Sequence, residues 1–374
     1  MTLVTNRLKG CHQLIYLLLL LLPTTTFSEV PQEYPNIMVL GNISPLASEE
    51  GLSTPLIIWK HQSSDYPGDA TLDVFLETSI LTAGFSYPLD SDFQFGYQLS
   101  GTIISEGFGS DIYINGSRAE EMTFEGNNLM FKVIAKYSIS HQWSVHAEVA
   151  RKSLWFDQTT SSAKEFKLPD DHFVNLNGVK VIYEGEALSD KDVFMVSLTN
   201  GNRSQWHNWG LDNDAASKKA FNQLQLKWEN TLDQPDFGHL ETTYSAGTGK
   251  DLDLVSGYRV GGIAGQYPVL GYYRNEFRVK DVVAFRLLQE IEFEKDRKLQ
   301  IIGDLVSFHR FNLDYLDSTP ETQTIGGLGV GFFYGIRSLK GLPIIFTYGE
   351  GLNVHEDSKE KHRRELMVAL AVAF

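Results

Sequence analysis

The chain of 374 residues is long enough for one large β-barrel or for two ordinary soluble domains. Only 42% of its residues are hydrophobic, and no run of about 18 apolar residues follows residue 28, which excludes a protein built of many transmembrane helices. The formal net charge of −15 argues against nucleic acid as a partner.

Residues 1–28 have the pattern of a secretory signal peptide. Basic residues precede an apolar stretch over 14–22, and Ser28 ends a small-residue cleavage site before Glu29. We therefore predict export and a mature chain that starts near Glu29. Cys11 is the only cysteine and lies in the part that is removed. Disulfides, thiol catalysis and cysteine-bound metals are therefore not expected in the mature protein.

The rest of the chain divides into two parts. Residues 29–51 have no clear period, and we interpret them as a periplasmic lead-in or a plug in a barrel lumen. Over 52–374 apolar and polar residues alternate in segments of about ten residues, which is typical of a β-barrel that spans a membrane. A soluble antiparallel sheet alternates as well, but the signal peptide and the C-terminus favour a membrane protein.

We therefore predict an all-β fold, a transmembrane antiparallel β-barrel of about 14 strands, within a range of roughly 12–16. The strands are expected near 53–61, 71–86, 93–106, 127–139, 142–154, 172–184, 190–200, 219–231, 238–247, 279–293, 298–308, 324–336, 341–351 and 364–374.

The connections between these strands alternate between long and short, as in outer-membrane barrels. Counted back from a periplasmic C-terminus, the external loops are expected at 62–70, 107–126, 155–171, 201–218, 248–278, 309–323 and 352–363. Closure of the barrel leaves no strand edge unpaired in lipid.

The last segment has the clearest alternation. One face carries Leu366, Val368, Leu370, Val372 and Phe374, and the other carries Met367, Ala369, Ala371 and Ala373. A terminal aromatic residue on such a strand resembles the signal that the outer-membrane barrel assembly machinery reads. We therefore expect Leu370, Val372 and Phe374 to form this signal, with the assembly machinery and outer-membrane lipid as partners.

The predicted loop 248–278 contains a specific order of aromatic, glycine and apolar residues. It reads Ser256-Gly257-Tyr258-Arg259-Val260-Gly261-Gly262, then Val269-Leu270-Gly271-Tyr272-Tyr273, then Asn275-Glu276. This loop resembles the long sixth loop of the BamA/TamA-type outer-membrane barrels, the bacterial surface antigen superfamily. In that family an aromatic-x-x-Gly-Gly stretch precedes a tip that folds into the barrel. The resemblance covers about 238–374, and five predicted strands follow the loop here as in the family.

The resemblance implies a lumen loop with a defined tip. The motif residues are Gly261, Gly262, Val269, Leu270, Gly271 and Tyr272, and the expected lumen partners are Asp304, Glu290 and Arg286. The arginine at the tip of the family's loop aligns with Leu270, so its usual contact with Asp304 is not expected to form as such. Arg274 and Arg259 are the candidate substitutes. Only about 25 to 45 residues precede the first strands, which implies a barrel-only member of the superfamily without the periplasmic POTRA repeats.

We find no sequence pattern that indicates an enzyme, a cofactor or a metal site. The resemblance implies a role in outer-membrane biogenesis or transport. Two alternatives remain open from the sequence: a passive pore, and a closed barrel whose external loops bind ligands.

The terminal residue gives a direct test. Deleting Phe374, or replacing it with Asp, should impair assembly and leave export intact, because the alternating strand ends on this residue. Fractionation and heat-dependent gel mobility measure the outcome. Unchanged amounts of heat-modifiable membrane protein would show that the residue is not an assembly signal.

Overall fold

We analysed a computed structural model of the whole chain. The structure describes residues 37–45, 54–66, 70–77, 80–102, 113–114, 117–119, 122–187, 189–206, 208–210, 215–216, 218–235, 237–263, 266–273, 276–294, 297–311, 322–336, 342–352 and 363–373. The predicted signal peptide and Phe374 lie outside these residues.

Sixteen antiparallel strands form one closed barrel, which confirms the predicted fold class at the upper end of its expected range. Along the chain they are β1 Ile37–Pro45, β2 Thr54–Tyr66, β3 Ala70–Glu77, β4 Ile80–Pro88, β5 Phe93–Thr102, β6 Phe124–Ser138, β7 Trp143–Gln158 and β8 His172–Gly185. They continue as β9 Lys191–Arg203, β10 Ala220–Gln234, β11 Gly238–Lys250, β12 Phe277–Glu294, β13 Arg297–Arg310, β14 Thr322–Ile336, β15 Leu342–Leu352 and β16 Arg364–Ala373.

Each strand pairs with its neighbour in the chain, and β1 closes the barrel by pairing with β16 from Ile37↔Ala373 to Pro45↔Glu365. Short pairs also form between Tyr113–Ile114 and Ser117–Arg118, and between Asn208–Trp209 and Ala215–Ala216. The described residues include no helix long and apolar enough to cross a bilayer.

The first strands differ from the prediction. Residues Ile37–Pro45, interpreted as lead-in or plug, form a wall strand. They show no alternation because both faces of β1 carry apolar residues: Leu40 is 48% exposed, whereas Ile43 is 6% exposed and packs inside the barrel. The predicted strand 71–86 is a hairpin, β3 and β4, whose connection at 78–79 contains no glycine, proline, asparagine or aspartate to mark it.

Because of these two differences, the connection between β2 and β3 lies at the other end of the barrel from the one predicted. The predicted external loop 62–70 is wrong, because β2 continues to Tyr66 and its connection at 67–69 lies at the opposite end of the barrel. All the other long connections lie at one end, which we call the loop end. The opposite end, which we call the turn end, carries the short connections, such as 89–92 and 295–296. The first residue of β1, Ile37, and the last residue of β16, Ala373, also lie there.

The two faces of the wall differ as the alternation predicts. On β14, Leu328, Val330 and Phe332 point outward and are 55%, 49% and 39% exposed. Gly327, Gly329 and Gly331 lie on the inner face and are buried. On the outside near the turn end, aromatic rings of neighbouring strands contact each other: the ring centroids of Trp143 and Tyr183 are 5.0 Å apart, with the rings tilted by 53°. Apolar bands with aromatic girdles are typical of membrane-spanning barrels.

Placing a charge on this outer face should be costly. Val330→Arg should lower the free energy of unfolding by about 2–4 kcal/mol if the position lies near the bilayer midplane. Urea unfolding in phospholipid vesicles, followed by tryptophan fluorescence, measures this change. Thr160→Arg, at an exposed position of the connection 159–171, is the matched control. Equal effects of the two substitutions would show that Val330 does not face lipid.

Candidate functional site

The connection between β11 and β12 folds into the barrel at its loop end. Its segment Tyr258–Val260 pairs with the first residues of β12. Glycines permit the turn that follows: Gly261 and Gly262 have φ angles of +116° and +70°, which other residues rarely adopt. We call the residues 251–276 the lumen loop. Its side chains Tyr258, Val260, Val269 and Leu270 are 0% exposed.

The tip of the lumen loop lies against glycines of β14 and β15. A Cβ atom built at Gly349 would be 2.7 Å from the Cβ of Leu270, and one built at Gly327 would be 2.6 Å from the Leu270 carbonyl oxygen. Gly271 has φ +81°, and a Cβ atom there would clash with the backbone nitrogen of Gly351. The glycines on the inner face of the two strands therefore form a groove. Because these glycines have no side chains, the backbone of the loop tip can lie directly against the wall.

One carboxylate of the wall holds this tip. The backbone N–H of Leu270 donates to Asp304 Oδ2 over 3.0 Å. From the neighbouring strand, Arg286 donates to both oxygens of the same carboxylate, with Nε–Oδ1 at 2.6 Å and Nη2–Oδ2 at 3.0 Å. The Asp304 side chain has no exposed surface, so these hydrogen bonds take the place of water at its two oxygens. The arginine that contacts Asp304 here is thus Arg286 of the wall. Of the two expected substitutes, Arg274 lies outside the described residues.

Glu290, the other expected lumen partner, lies away from the tip. It accepts hydrogen bonds from Lys298 Nζ at 2.7 Å and Gln300 Nε2 at 3.1 Å. Of the three residues expected to face the tip, the structure thus brings Asp304 and Arg286 together.

Two further buried ion pairs hold the lumen loop, and the sequence interpretation missed both. Arg203 Nε contacts Asp253 Oδ2 at 3.0 Å, and both side chains are at most 5% exposed. Asp253 Oδ1 also accepts from the backbone N–H and hydroxyl of Ser256, each at 2.8 Å. At the other end of the loop, Arg363 donates to Glu276. These partners are far apart in the sequence, so no local pattern identifies them.

Tyrosine hydroxyls of the lumen loop bind backbone carbonyls of the wall. Tyr258 donates towards the carbonyl oxygens of Thr248 and Leu224 at 2.8 and 3.0 Å. Tyr272 donates to the Leu352 carbonyl at 2.5 Å. Burial raises the pKa of Tyr258 to about 12, so this hydroxyl keeps its proton and remains a donor.

Apolar side chains fill much of the loop end inside the barrel. One cluster lies under the loops after β5 and β7 and consists of Ala119, Met122, Phe124, Leu154, Phe156, Phe166, Val174, Phe221, Leu254 and Phe311. A second cluster joins the lumen loop to the wall and consists of Tyr258, Val260, Tyr267, Val269, Tyr272, Phe277, Val279, Val282, Val306, Phe308 and Ile325. Within the described part of the chain, no cluster of three or more metal-ligating residues is present.

The lumen towards the turn end is polar. A cavity of about 320 Å³ lies under the lumen loop, with Gln266 and Tyr267 on one side and Lys227, Glu229 and Arg286 on the wall. A second cavity, of about 430 Å³, lies along β3 to β7. Salt bridges connect neighbouring strands on the inner face of this wall. Glu148, for example, forms ion pairs with Lys132 at 3.5 Å and with Lys180 at 3.4 Å.

The C-terminal strand β16 forms one half of the closing pair of strands. Leu370 is 41% exposed on the outer face, and Val372 pairs with Met38 of β1. Phe374 lies outside the described residues. Its role as an assembly signal therefore stays a prediction.

Solved structures that are similar to this chain include barrels of the BamA and CdiB type. CdiB from Escherichia coli superposes with a TM-score of 0.61 at 13% identity, over 92% of this chain and 64% of its own. CdiB from Acinetobacter baumannii gives 0.59 at 11% identity, over 92% and 60%. BamA from Haemophilus ducreyi lacking POTRA domains 1–3 gives 0.58 at 9% identity, over 91% and 71%.

The chain therefore has the fold of the BamA and CdiB barrels, in agreement with the resemblance inferred from the lumen-loop motif. It spans about two thirds of the length of these proteins or somewhat less. No family model and no curated protein matches the sequence.

A disulfide can test whether the tip lies in the lumen. In a Cys11→Ser background, Leu270→Cys combined with Gly349→Cys should cross-link on mild oxidation, because the two Cβ positions are adjacent. Faster migration on non-reducing gels reports the closed loop. Leu270→Cys with Gly303→Cys is the control, since Gly303 lies on a neighbouring strand and its nearest contact is the outer residue Leu328. A Leu270→Cys variant that reacts freely with an impermeant thiol reagent and never cross-links would place the tip outside.

Proposed function

We propose that this protein is an outer-membrane barrel of the BamA/CdiB type that acts in outer-membrane biogenesis or transport, without enzymatic activity. The observation that carries the proposal is the lumen loop, whose tip binds the Asp304 carboxylate and the glycine groove of β14 and β15. A loop that enters the lumen and is held by separate buried anchors is a part that a transport or insertion cycle can displace.

The location follows from the same proposal. The chain is exported through a cleaved signal peptide, is inserted by the barrel assembly machinery, and contacts outer-membrane lipid through its apolar outer wall. The loop end then faces the exterior and the turn end faces the periplasm, because outer-membrane barrels carry their long connections outside. Recovery of the mature chain as a soluble periplasmic protein would contradict this location.

A passive pore is disfavoured as the alternative function. Two apolar clusters and the lumen loop occupy the inside of the barrel at its loop end. An open channel for polar solutes needs a wet path between the two ends, and buried apolar side chains exclude water. A closed barrel that binds ligands through its external loops remains the second candidate, supported by the 60% exposure of Trp206 in the connection 204–219.

Conductance separates these functions. In planar bilayers the full protein should show little steady current. Removal of 263–273 should increase the conductance at least about tenfold, since the described residues of this segment, such as Val269 and Leu270, lie buried inside the barrel. Removal of 205–216, a loop segment outside the lumen loop, is the matched control. A large, steady conductance of the unaltered protein would support a passive pore.

Insertion of a client barrel into liposomes then distinguishes the main proposal from a closed ligand-binding barrel. The full protein should accelerate client folding, and the cross-linked Leu270→Cys/Gly349→Cys form should lose this acceleration until it is reduced. If neither form accelerates folding and neither conducts, the closed barrel is favoured.

A further inference from the structure

A polar patch interrupts the apolar outer wall near the loop end of β8 to β10. Five exposed asparagines form it: Asn175, Asn177, Asn200, Asn202 and Asn222. The strand register makes them contiguous, with Asn175 opposite Asn202, and Asn200 opposite both Asn177 and Asn222. We call these residues the asparagine patch.

The patch lies on the outside of the barrel. The next outward residues towards the turn end are Val179 and Leu198, which pair with each other and are 49% and 54% exposed. The residues that alternate with the asparagines along these strands point inward. Gly201, between Asn200 and Asn202, is an example, and the Phe221 ring fills the space beside it inside the barrel. The asparagines therefore continue the row that carries the lipid-facing residues.

The height of the patch makes it unusual for a wall that faces lipid. Asn177 is six residues from Tyr183, which belongs to the aromatic row near the turn end. Six residues span about 20 Å along a strand, or about 15 Å along the barrel axis at a tilt of about 40°. The apolar band of such barrels is about 25 Å tall. Asn177 and Asn200 therefore lie in the upper part of this band. Asn175 and Asn202, two residues further along the strands, lie about 5 Å higher, close to the outer edge of the band where the headgroups of the outer leaflet begin.

A carboxamide in hydrocarbon is costly unless it is hydrogen-bonded. Across the part of the chain that the structure describes, the side chains of the five asparagines make no hydrogen bond with one another or with the rest of the barrel. Five such groups on one face call for a polar partner from outside the chain.

The charges at the edges of the patch indicate what this partner is. Asn175 pairs with Arg151, and Asn222 pairs with Lys250, and both cations are exposed. The patch and these two positions contain no carboxylate, although the whole chain has 47 acidic residues against 32 basic ones. A partner with phosphate groups at its edges and hydroxyls at its centre matches this arrangement, because carboxamides both donate to and accept from hydroxyls.

We propose that the asparagine patch binds the phosphorylated sugar headgroup of a glycolipid in the outer leaflet. The inference rests on the proposed outer-membrane location and on no particular client. A second copy of the chain fits less well. A two-fold axis along the membrane normal would bring Arg151 of one copy towards Lys250 of the other, and like charges repel.

The test uses the full protein in nanodiscs that contain neutral phospholipid. A bis-phosphorylated diglucosamine glycolipid is titrated, and native mass spectrometry counts the bound lipids. The N177L/N200L variant should bind it about tenfold or more weakly, because two hydrogen-bonding groups are lost. Leucine suits a lipid-facing wall, so this variant should fold. Asn42→Leu, which removes an exposed asparagine of β1, is the matched control and should bind like the unaltered protein.

Two further arms identify the chemistry. The dephosphorylated glycolipid should bind more weakly, and Arg151→Gln should reduce the difference between the two lipids. Equal binding by N177L/N200L and the unaltered protein would overturn the inference. So would equal competition by phosphatidylglycerol, which would indicate simple charge attraction, or efficient dimer formation by Asn200→Cys on oxidation, which would assign the patch to a second copy. Heat-modifiable protein in the outer membrane under any of these outcomes would leave the proposed location intact.

Discussion

The arrangement of the lumen depends on one constraint: a loop that enters a barrel must find partners for its backbone and its charges. Asp304 meets this constraint at the tip, where it accepts the Leu270 N–H and is neutralised by Arg286. Removing one partner from a buried ion pair typically costs about 3–5 kcal/mol. The path of the lumen loop therefore depends on these few charges. Between them, tyrosine hydroxyls bind wall carbonyls and apolar side chains pack against the wall.

The tip is held in a different way from the pattern on which the resemblance rests. There an arginine of the loop supplies the charge, whereas here the arginine belongs to the wall and the loop offers a backbone N–H and an apolar side chain. The Arg286–Asp304 pair connects adjacent strands and can persist when the tip moves away. Displacing this tip then breaks the hydrogen bonds of Leu270 with Asp304 and of Tyr272 with Leu352, together with the packing of Leu270. The ion pair between Arg286 and Asp304 stays within the wall.

The inner and outer faces of the barrel place their polar groups for different reasons. Inside, charges such as Glu148 pair across strands, and polar side chains such as Gln98 and Lys136 line a cavity towards the turn end. Outside, the wall is apolar over most of its surface, and the asparagine patch is a place where polarity appears without partners among the described residues. The same rule explains both observations: a polar group away from bulk water is stable only with a partner, from the protein or from the membrane.

The sequence by itself determined the barrel, the faces of its regular strands and the loop that enters it. Period-two alternation depends only on which side of the sheet each residue faces, as on β14 from Leu328 to Phe332. Tertiary structure decided the rest. Residues 37–45 form a strand without alternation, since apolar residues lie on both of its faces, and Ile43 on the inner face belongs to a cluster against which Ile263 of the lumen loop packs. The pairing of Arg203 with Asp253, and of Glu276 with Arg363, depends on how the closed barrel brings distant strands together, and no local pattern encodes such a distance.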